Sequence, residues 1–211
     1  MSAEERMKKY LESTKYATEE LIRIINNEEK ELEELIRTLK ENEALANKLD
    51  QEMHQIKGLD DITFLRDQAT YHFIEGAKIE NQLKKNTERF KDKYESLSTL
   101  SGALLQIAKQ GISISYHGTN NPFTECKNGK TMKSQFLKTV IWEGRNQSLH
   151  YEEGFNDRFQ KTKDCFIQLN RDYEIKIDRN GDDKINLAKE VISIIGWKDY
   201  EDYYRDMLSL V

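Results

Sequence analysis

The sequence predicts an all-α protein: a helical bundle with a long antiparallel N-terminal helical hairpin and a small C-terminal helical extension. Of the 211 residues, 34% are charged and 37% hydrophobic, a polar balance that suits amphipathic helices with much exposed surface. The chain contains a single proline, a residue that interrupts helices. Apolar residues recur at steps of three and four along most of residues 1–110, which is the helical period.

Residues 1–110 are predicted to form the hairpin. Two heptad-like seams, separated by a break at Gly58, indicate two long helices joined by a short link, and such helices pack antiparallel. The first seam contains one skip, at Glu28. Its members are Met7, Tyr10, Thr14, Ala17, Leu21, Ile24, Leu32, Leu35, Leu39, Asn42, Ala46, Leu49, Met53 and Ile56.

Residues 111–172 are predicted to complete the bundle. The segment 111–130 is rich in Gly, Asn and Thr and holds the proline, which is typical of a loop. A helix is predicted to begin at Thr131, and another helical pattern follows Gly154.

Residues 173–211 are predicted to form the C-terminal extension, with short helices at 187–195 and 200–210. The preceding sequence DRNGDDKIN, residues 178–186, resembles part of a calcium-binding loop. It lacks the Gly and the Glu that positions 6 and 12 of such a loop require, so a polar turn is the favoured interpretation.

Composition excludes several classes of protein. No run of about 20 apolar residues is present, so no membrane association is expected. The N-terminus has no apolar signal core, and the two cysteines, Cys126 and Cys165, lie far apart without metal-ligand spacing. We therefore expect a cytoplasmic protein with reduced thiols and with no metal or other cofactor.

Charge distinguishes one segment from the rest of the chain. The net charge of −5 argues against general nucleic-acid binding. Residues 127–163, however, carry eight Lys or Arg against four Asp or Glu and form the net-positive region of the chain. This region contains the sequence WEGRNQSLHYEEG, residues 142–154.

Arg145, Asn146 and His150 in this sequence are the candidate catalytic residues. A histidine can transfer a proton near neutral pH, an arginine guanidinium matches a phosphate, and an amide can orient a neighbour. Such groups can cleave a phosphodiester without a metal, although the same residues can also serve as helix caps. Arg145 and His150 are five residues apart, about 140° around an ideal helix. Sharing one phosphate therefore requires a bend near Gly144, a reaching arginine or a second subunit.

The sequence RNQSLH, residues 145–150, resembles the R-x4–6-H motif of the HEPN superfamily, including the polar residue that often follows the arginine. The resemblance covers residues 60–172. HEPN domains are helical bundles, and many are ribonucleases of toxin–antitoxin, abortive-infection and CRISPR-associated systems. Their motif usually lies near the start of a late bundle helix, and paired subunits bring two copies together at a cleft.

The resemblance implies a HEPN-like, metal-independent endoribonuclease in a bacterial defence or toxin–antitoxin setting. It implies attack by the ribose 2′-OH on the adjacent phosphate, with Arg145 and His150 as the catalytic pair and Asn146 as the supporting residue. The implied partners are RNA, a second copy of the chain in a homodimer, and an antitoxin or other defence-system protein. The candidate substrate-binding residues are Lys138 in the basic region, Tyr151, whose ring can stack on a base, and His117 in the preceding loop.

An alternative function is a catalytically inactive helical scaffold that binds a partner protein through the long hairpin. Its basis is the pair of heptad-like seams flanked by Glu and Lys. Some HEPN domains are themselves inactive and serve as binding or dimerisation modules.

Overall fold

The computed structural model describes residues 1–56, 62–175 and 184–211. Within these ranges it contains seven α-helices, two short 3-10 helices and one two-stranded antiparallel sheet. The predicted all-α bundle with long N-terminal helices is therefore confirmed. Among the helices of these ranges, none combines the length and the apolar character that crossing a bilayer requires.

The two N-terminal helices are α1, Ala3–Ile56, and α2, Ile62–Ser115, of 54 residues each. The predicted break at Gly58 lies outside the described residues, as does most of the calcium-like segment, 178–183.

Between residues 11 and 25, the buried stripe of α1 departs by one residue from the predicted seam. Leu11, Thr18, Ile25 and Leu32 are all buried and follow one another at intervals of seven, so the heptad needs no skip. Ala17, which the apolar pattern assigns to the seam, is exposed. The polar hydroxyl of Thr18 conceals the true register from a search for apolar side chains.

The chain forms two compact units. Unit 1 contains residues 1–27 and 95–211, and it holds all the candidate catalytic and substrate-binding residues. Unit 2 contains residues 28–94, where the buried apolar side chains include Leu32, Leu35 and Ile79.

In unit 1 the start of α1 runs antiparallel to the end of α2. Arg6 Nε donates to the carbonyl of Ser115 at 2.7 Å, and the Tyr10 hydroxyl donates to the carbonyl of Ile107 at 2.9 Å. Burial raises the pKa of Tyr10 to about 12, because the phenolate is disfavoured away from water. Tyr10 follows Arg6 along α1, whereas its partner Ile107 precedes Ser115 along α2. The two helices are therefore antiparallel here, as predicted.

The predicted loop at 111–130 begins too early, because α2 continues through Gly111 to Ser115. Gly111 is buried, and a Cβ added there would lie 3.0 Å from Tyr10 Cε1 and 3.1 Å from Met207 Cε. The glycine therefore allows close packing inside a helix. From the sequence pattern, it is expected to mark the end of that helix.

The predicted helix start at Thr131 is also wrong. The strands β1, Thr131–Met132, and β2, Gln135–Phe136, pair antiparallel, and Lys133 between them adopts a left-handed φ of 50°. The helix begins only at Leu137. Strands of two residues are too short to produce the alternation by which strands are recognised in sequence.

The helix that carries the motif packs against two later helices of unit 1. This helix, α4 (Leu137–His150), contacts both α5 (Gln160–Tyr173) and α6 (Ala188–Ile195), and its buried face includes Leu137, Val140 and Ile141. The helices after α2 are α3, Pro122–Glu125, α4, Leu137–His150, α5, Gln160–Tyr173, α6, Ala188–Ile195, and α7, Tyr200–Leu208.

The two C-terminal helices are confirmed to within two residues of their predicted ends. Gly196, predicted to lie at the corner between them, adopts a left-handed φ of 80° and caps α6. The indole N–H of Trp197 at the same corner donates to Asp206 Oδ2 at 2.8 Å, which ties the corner to α7.

Candidate active site

The motif occupies the end of α4, and His150 is the last residue of the helix. The resemblance predicts a position near the start of a helix, whereas RNQSLH lies at the end of one. Gly144 is interior to α4, and a Cβ added there would lie 2.8 Å from Val191 Cγ1 and 3.4 Å from Leu105 Cδ1. This glycine therefore permits the close approach of α4 to α6 and α2.

Arg145 is held across the contact between α4 and α2. Its Nε donates to Gln106 Oε1 at 2.6 Å, and its Nη1 donates to Asn146 Oδ1 at 3.3 Å. Burial lowers the pKa of the guanidinium, because the positive charge is disfavoured away from water. The side chain is thus oriented by neutral amides.

Asn146 continues this network into the core. Its Nδ2 donates to Glu143 Oε2 at 3.2 Å, and the same oxygen accepts from Thr162 Oγ1 at 2.6 Å. Glu143 is only 6% exposed. Burial, with the negative charge of Glu143 as the second cause, raises the pKa of the neighbouring Cys165 thiol to about 12. Asn146 is therefore fixed by α4 and α5 together.

Gln147 joins the motif helix to the start of α6. Its Nε2 donates to the carbonyl of Ile185 at 2.7 Å, and its Oε1 accepts from the backbone N–H of Leu187 at 2.9 Å. Because the side chain is buried, these two bonds satisfy its amide and fix the chain entering α6.

His150 lies in different surroundings. Its Nδ1 is 2.8 Å from Glu153 Oε1, and its ring stacks on Phe159 with centroids 4.7 Å apart. Glu153 also lies 3.7 Å from Arg158 Nη1. The imidazole is 40% exposed, so one edge of the ring faces water.

The structure therefore brings Arg145 and Asn146 together and gives His150 separate partners. In the part of the chain that is described, no hydrogen bond joins Arg145 or Asn146 to His150. A bend near Gly144 does not unite them, since α4 is one helix across that residue.

The three candidate substrate-binding residues lie at separate places. Lys138 Nζ donates to the carbonyl of Cys126 at 2.8 Å and lies 5.2 Å above the Phe123 ring. Tyr151 is half-buried in the 3-10 helix that follows α4. His117 is exposed in the turn after α2, and no side-chain contact between it and the motif is found among the described residues.

Three residues of the region around Arg145 were not predicted from the sequence: Gln106, Lys109 and Trp142. Gln106 accepts the Nε bond of Arg145, and Lys109, one turn further along α2, lies 4.6 Å above the ring of Trp142. Burial and then the positive charge of Arg145 lower the pKa of Lys109. The sequence shows that Gln106 and Lys109 are one helical turn apart. It does not show that this turn of α2 packs against α4.

Comparison with known proteins adds no relative. No protein-family model, no curated protein and no solved structure matches the chain. Among the described residues, no group of three or more His, Cys, Asp or Glu side chains is arranged to hold a metal ion.

Proposed function

We propose that the protein is a metal-independent endoribonuclease of the HEPN type, in which Arg145 and His150 of two paired subunits act on one phosphodiester. The main support for this proposal is the contrast between the surroundings of the two side chains. Arg145 is a partly buried cation oriented by amides, and His150 is a partly exposed imidazole oriented by a carboxylate. The bacterial defence or toxin–antitoxin setting, with its antitoxin or defence-system partner, belongs to the same proposal.

The contacts of His150 suit proton transfer. A carboxylate only accepts hydrogen bonds, so Nδ1 of the neutral imidazole carries the proton that Glu153 accepts, and Nε2 keeps its lone pair. Nε2 takes the proton of the ribose 2′-OH as that oxygen bonds to phosphorus. The bond from phosphorus to the 5′ oxygen breaks, and the leaving oxygen takes a proton from water. The hydroxide that remains takes the proton held by His150, which restores the neutral imidazole. The products carry a 2′,3′-cyclic phosphate and a 5′-OH.

The contacts of Arg145 suit charge stabilisation. Nε and Nη1 are engaged by Gln106 and Asn146, while Nη2 forms no hydrogen bond within the described ranges. A guanidinium fixed in this way can donate to the phosphate oxygens as negative charge develops on them. Arg145 and His150 of one chain have separate partners, and in the proposal the pairing of two subunits brings one of each to a single phosphate.

Lys138, Tyr151 and His117 complete the proposal as substrate-binding residues. The ammonium of Lys138 supplies a charge for the RNA backbone, and the half-buried ring of Tyr151 supplies a stacking surface next to His150. His117 is exposed and supplies a hydrogen-bonding group.

Cleavage of total RNA in the presence of EDTA tests the proposal. The unmodified protein is expected to produce fragments that end in 2′,3′-cyclic phosphate, and Arg145→Ala and His150→Ala are expected to produce none. Arg205→Ala is the matched control, because Arg205 is an exposed arginine of α7 paired with Asp202. Equal cleavage by all four proteins, or cleavage by none, contradicts the proposal.

A partner-binding scaffold is the second candidate, and one observation in unit 2 favours it. Tyr71, Phe73 and Ile74 of α2 are 59%, 75% and 48% exposed, a cluster of large apolar side chains at the surface. A scaffold predicts that expression is equally tolerated with and without His150→Ala. It also predicts that Phe73→Glu abolishes association with a partner, which affinity purification from the native host measures.

A further inference from the structure

We propose that Lys109 and Arg145 together form a phosphoryl-binding subsite where α2 meets α4. The ligand is a phosphate group, carried by an RNA backbone or free in solution. The proposal rests on the proposed function for its RNA source, and it adds to that function a residue, Lys109, from a different helix.

The contacts place the two cations at one stretch of the meeting between α2 and α4. Gln106 and Lys109 are one turn apart on α2, and Trp142 and Arg145 are one turn apart on α4. Gln106 contacts Arg145 at 2.6 Å, and Lys109 contacts the Trp142 ring at 4.6 Å. These two contacts fix matching turns of the helices against each other, so Lys109 and Arg145 emerge from one contact region.

Both cations lack an ion-pair partner among the described residues. Across the described chain, no ion pair includes Lys109 or Arg145, and the nearby carboxylate of Glu143 is engaged by Asn146 and Thr162. Burial lowers the pKa of both cations, and the charge of Arg145 further lowers that of Lys109. Two partly desolvated like charges destabilise the folded chain, and a bound anion relieves that cost.

A phosphate group matches what these side chains offer. Arg145 presents a planar donor edge whose orientation is set by Gln106 and Asn146. Lys109 presents a compact charge held over an aromatic ring. A tetrahedral anion accepts hydrogen bonds from both directions, and the half-buried Trp142 borders the position of an attached sugar or base.

The test compares Lys109→Met with Lys15→Met. Lys15 also lies over an aromatic ring, at 5.4 Å from the centroid of Tyr200, but it belongs to α1 and lies 3.9 Å from Glu19. Thermal denaturation is measured with and without inorganic phosphate. Equilibrium binding is measured with a 2′-O-methyl oligoribonucleotide, which cannot be cleaved through a 2′-OH and therefore reports binding alone.

Lys109→Met is expected to raise the melting temperature without phosphate and to remove most of the stabilisation by phosphate. It is expected to weaken oligonucleotide binding about tenfold, the loss typical of one charge-assisted contact. Lys15→Met is expected to change neither property. A response to phosphate alone assigns the subsite to free phosphate, and a response to both ligands assigns it to the RNA backbone.

Unchanged binding of both ligands in Lys109→Met overturns the subsite, even if His150→Ala abolishes RNA cleavage and thereby supports the nuclease. Weakened binding in Lys109→Met with no cleavage by any form of the protein supports the subsite and overturns the nuclease. The two proposals therefore fail separately.

Discussion

The two ends of the motif are held in different ways. Arg145 depends on Gln106, 39 residues away in sequence, and lies beside a buried network that reaches α5. His150 depends on Glu153, three residues away, and on Phe159, also close in sequence. One end is therefore fixed by the tertiary fold and the other by its own local chain, and substitutions should affect stability and activity differently at the two ends.

The largest expected effect belongs to the exposed end. His150→Asn removes the titratable group, so the rate of RNA cleavage is expected to fall by about 10²–10⁴-fold, the usual contribution of general acid–base catalysis. The free energy of unfolding is expected to change by less than about 0.5 kcal/mol, because the side chain is partly exposed. Initial rates on a defined RNA and urea denaturation measure the two quantities. A large loss of stability would remove the distinction between the two ends.

Near Arg145, substitution of the buried network should mainly reduce the stability of the fold. Glu143→Leu leaves Asn146 Nδ2 and the buried Thr162 hydroxyl without their acceptor, so the free energy of unfolding is expected to fall by about 1–3 kcal/mol. Urea denaturation measures this loss. Glu152→Leu, at an exposed position just beyond α4, is the control and should change stability little. If the two variants are equally stable, the hydrogen bonds of Glu143 do not stabilise the folded chain.

Packing beneath the motif gives a third comparison. Gly144→Ala places a methyl group 2.8 Å from Val191 Cγ1, and such overpacking is expected to cost about 1–3 kcal/mol. Gly76→Ala, in α2 with no atom within 4 Å of the added Cβ, is expected to stabilise the helix by about 0.5–1 kcal/mol. Thermal denaturation of both variants checks the opposite signs. Stabilisation by both would show that Gly144 is not needed for close packing.

Alkaline pH gives the smallest effect. Burial and the charge of Glu143 raise the pKa of Cys165 from 9.0 to about 12, so the folded state holds this proton more tightly than the unfolded state does. The resulting stability is complete below pH 9 and is lost as the pH rises toward 12. At pH 10.5 the unmodified protein should therefore lose about 1–2 kcal/mol more than Cys165→Ala, relative to pH 8. Urea denaturation at both pH values measures the difference, and equal losses would contradict the pKa shift.

The long helices were predictable because each carries a repeating pattern over many turns. The C-terminal helices were predictable from Gly196 and Trp197 at the corner between them. The predictions at Thr18 and Gly111 were wrong. A buried threonine is polar and therefore resembles a surface residue in sequence. A glycine packed inside a helix resembles a loop residue when its neighbours in the fold are unknown.

The site divides in the same way. The residues of the motif, and the contact of His150 with a glutamate three residues later, lie within one short stretch of sequence. The positions of Gln106 and Lys109 beside Arg145 and Trp142 depend on how α2 meets α4. No local sequence pattern specifies the contact between α2 and α4, so only the folded structure shows it.

Complementation between inactive subunits tests the central claim most directly. Arg145→Ala and His150→Ala proteins are mixed, unfolded and refolded together so that mixed dimers form, and RNA cleavage is measured. If Arg145 of one subunit acts with His150 of the other, each mixed dimer retains one intact pair and activity returns. If the mixture is as inactive as either variant alone while the refolded unmodified protein is active, the two residues do not meet across subunits.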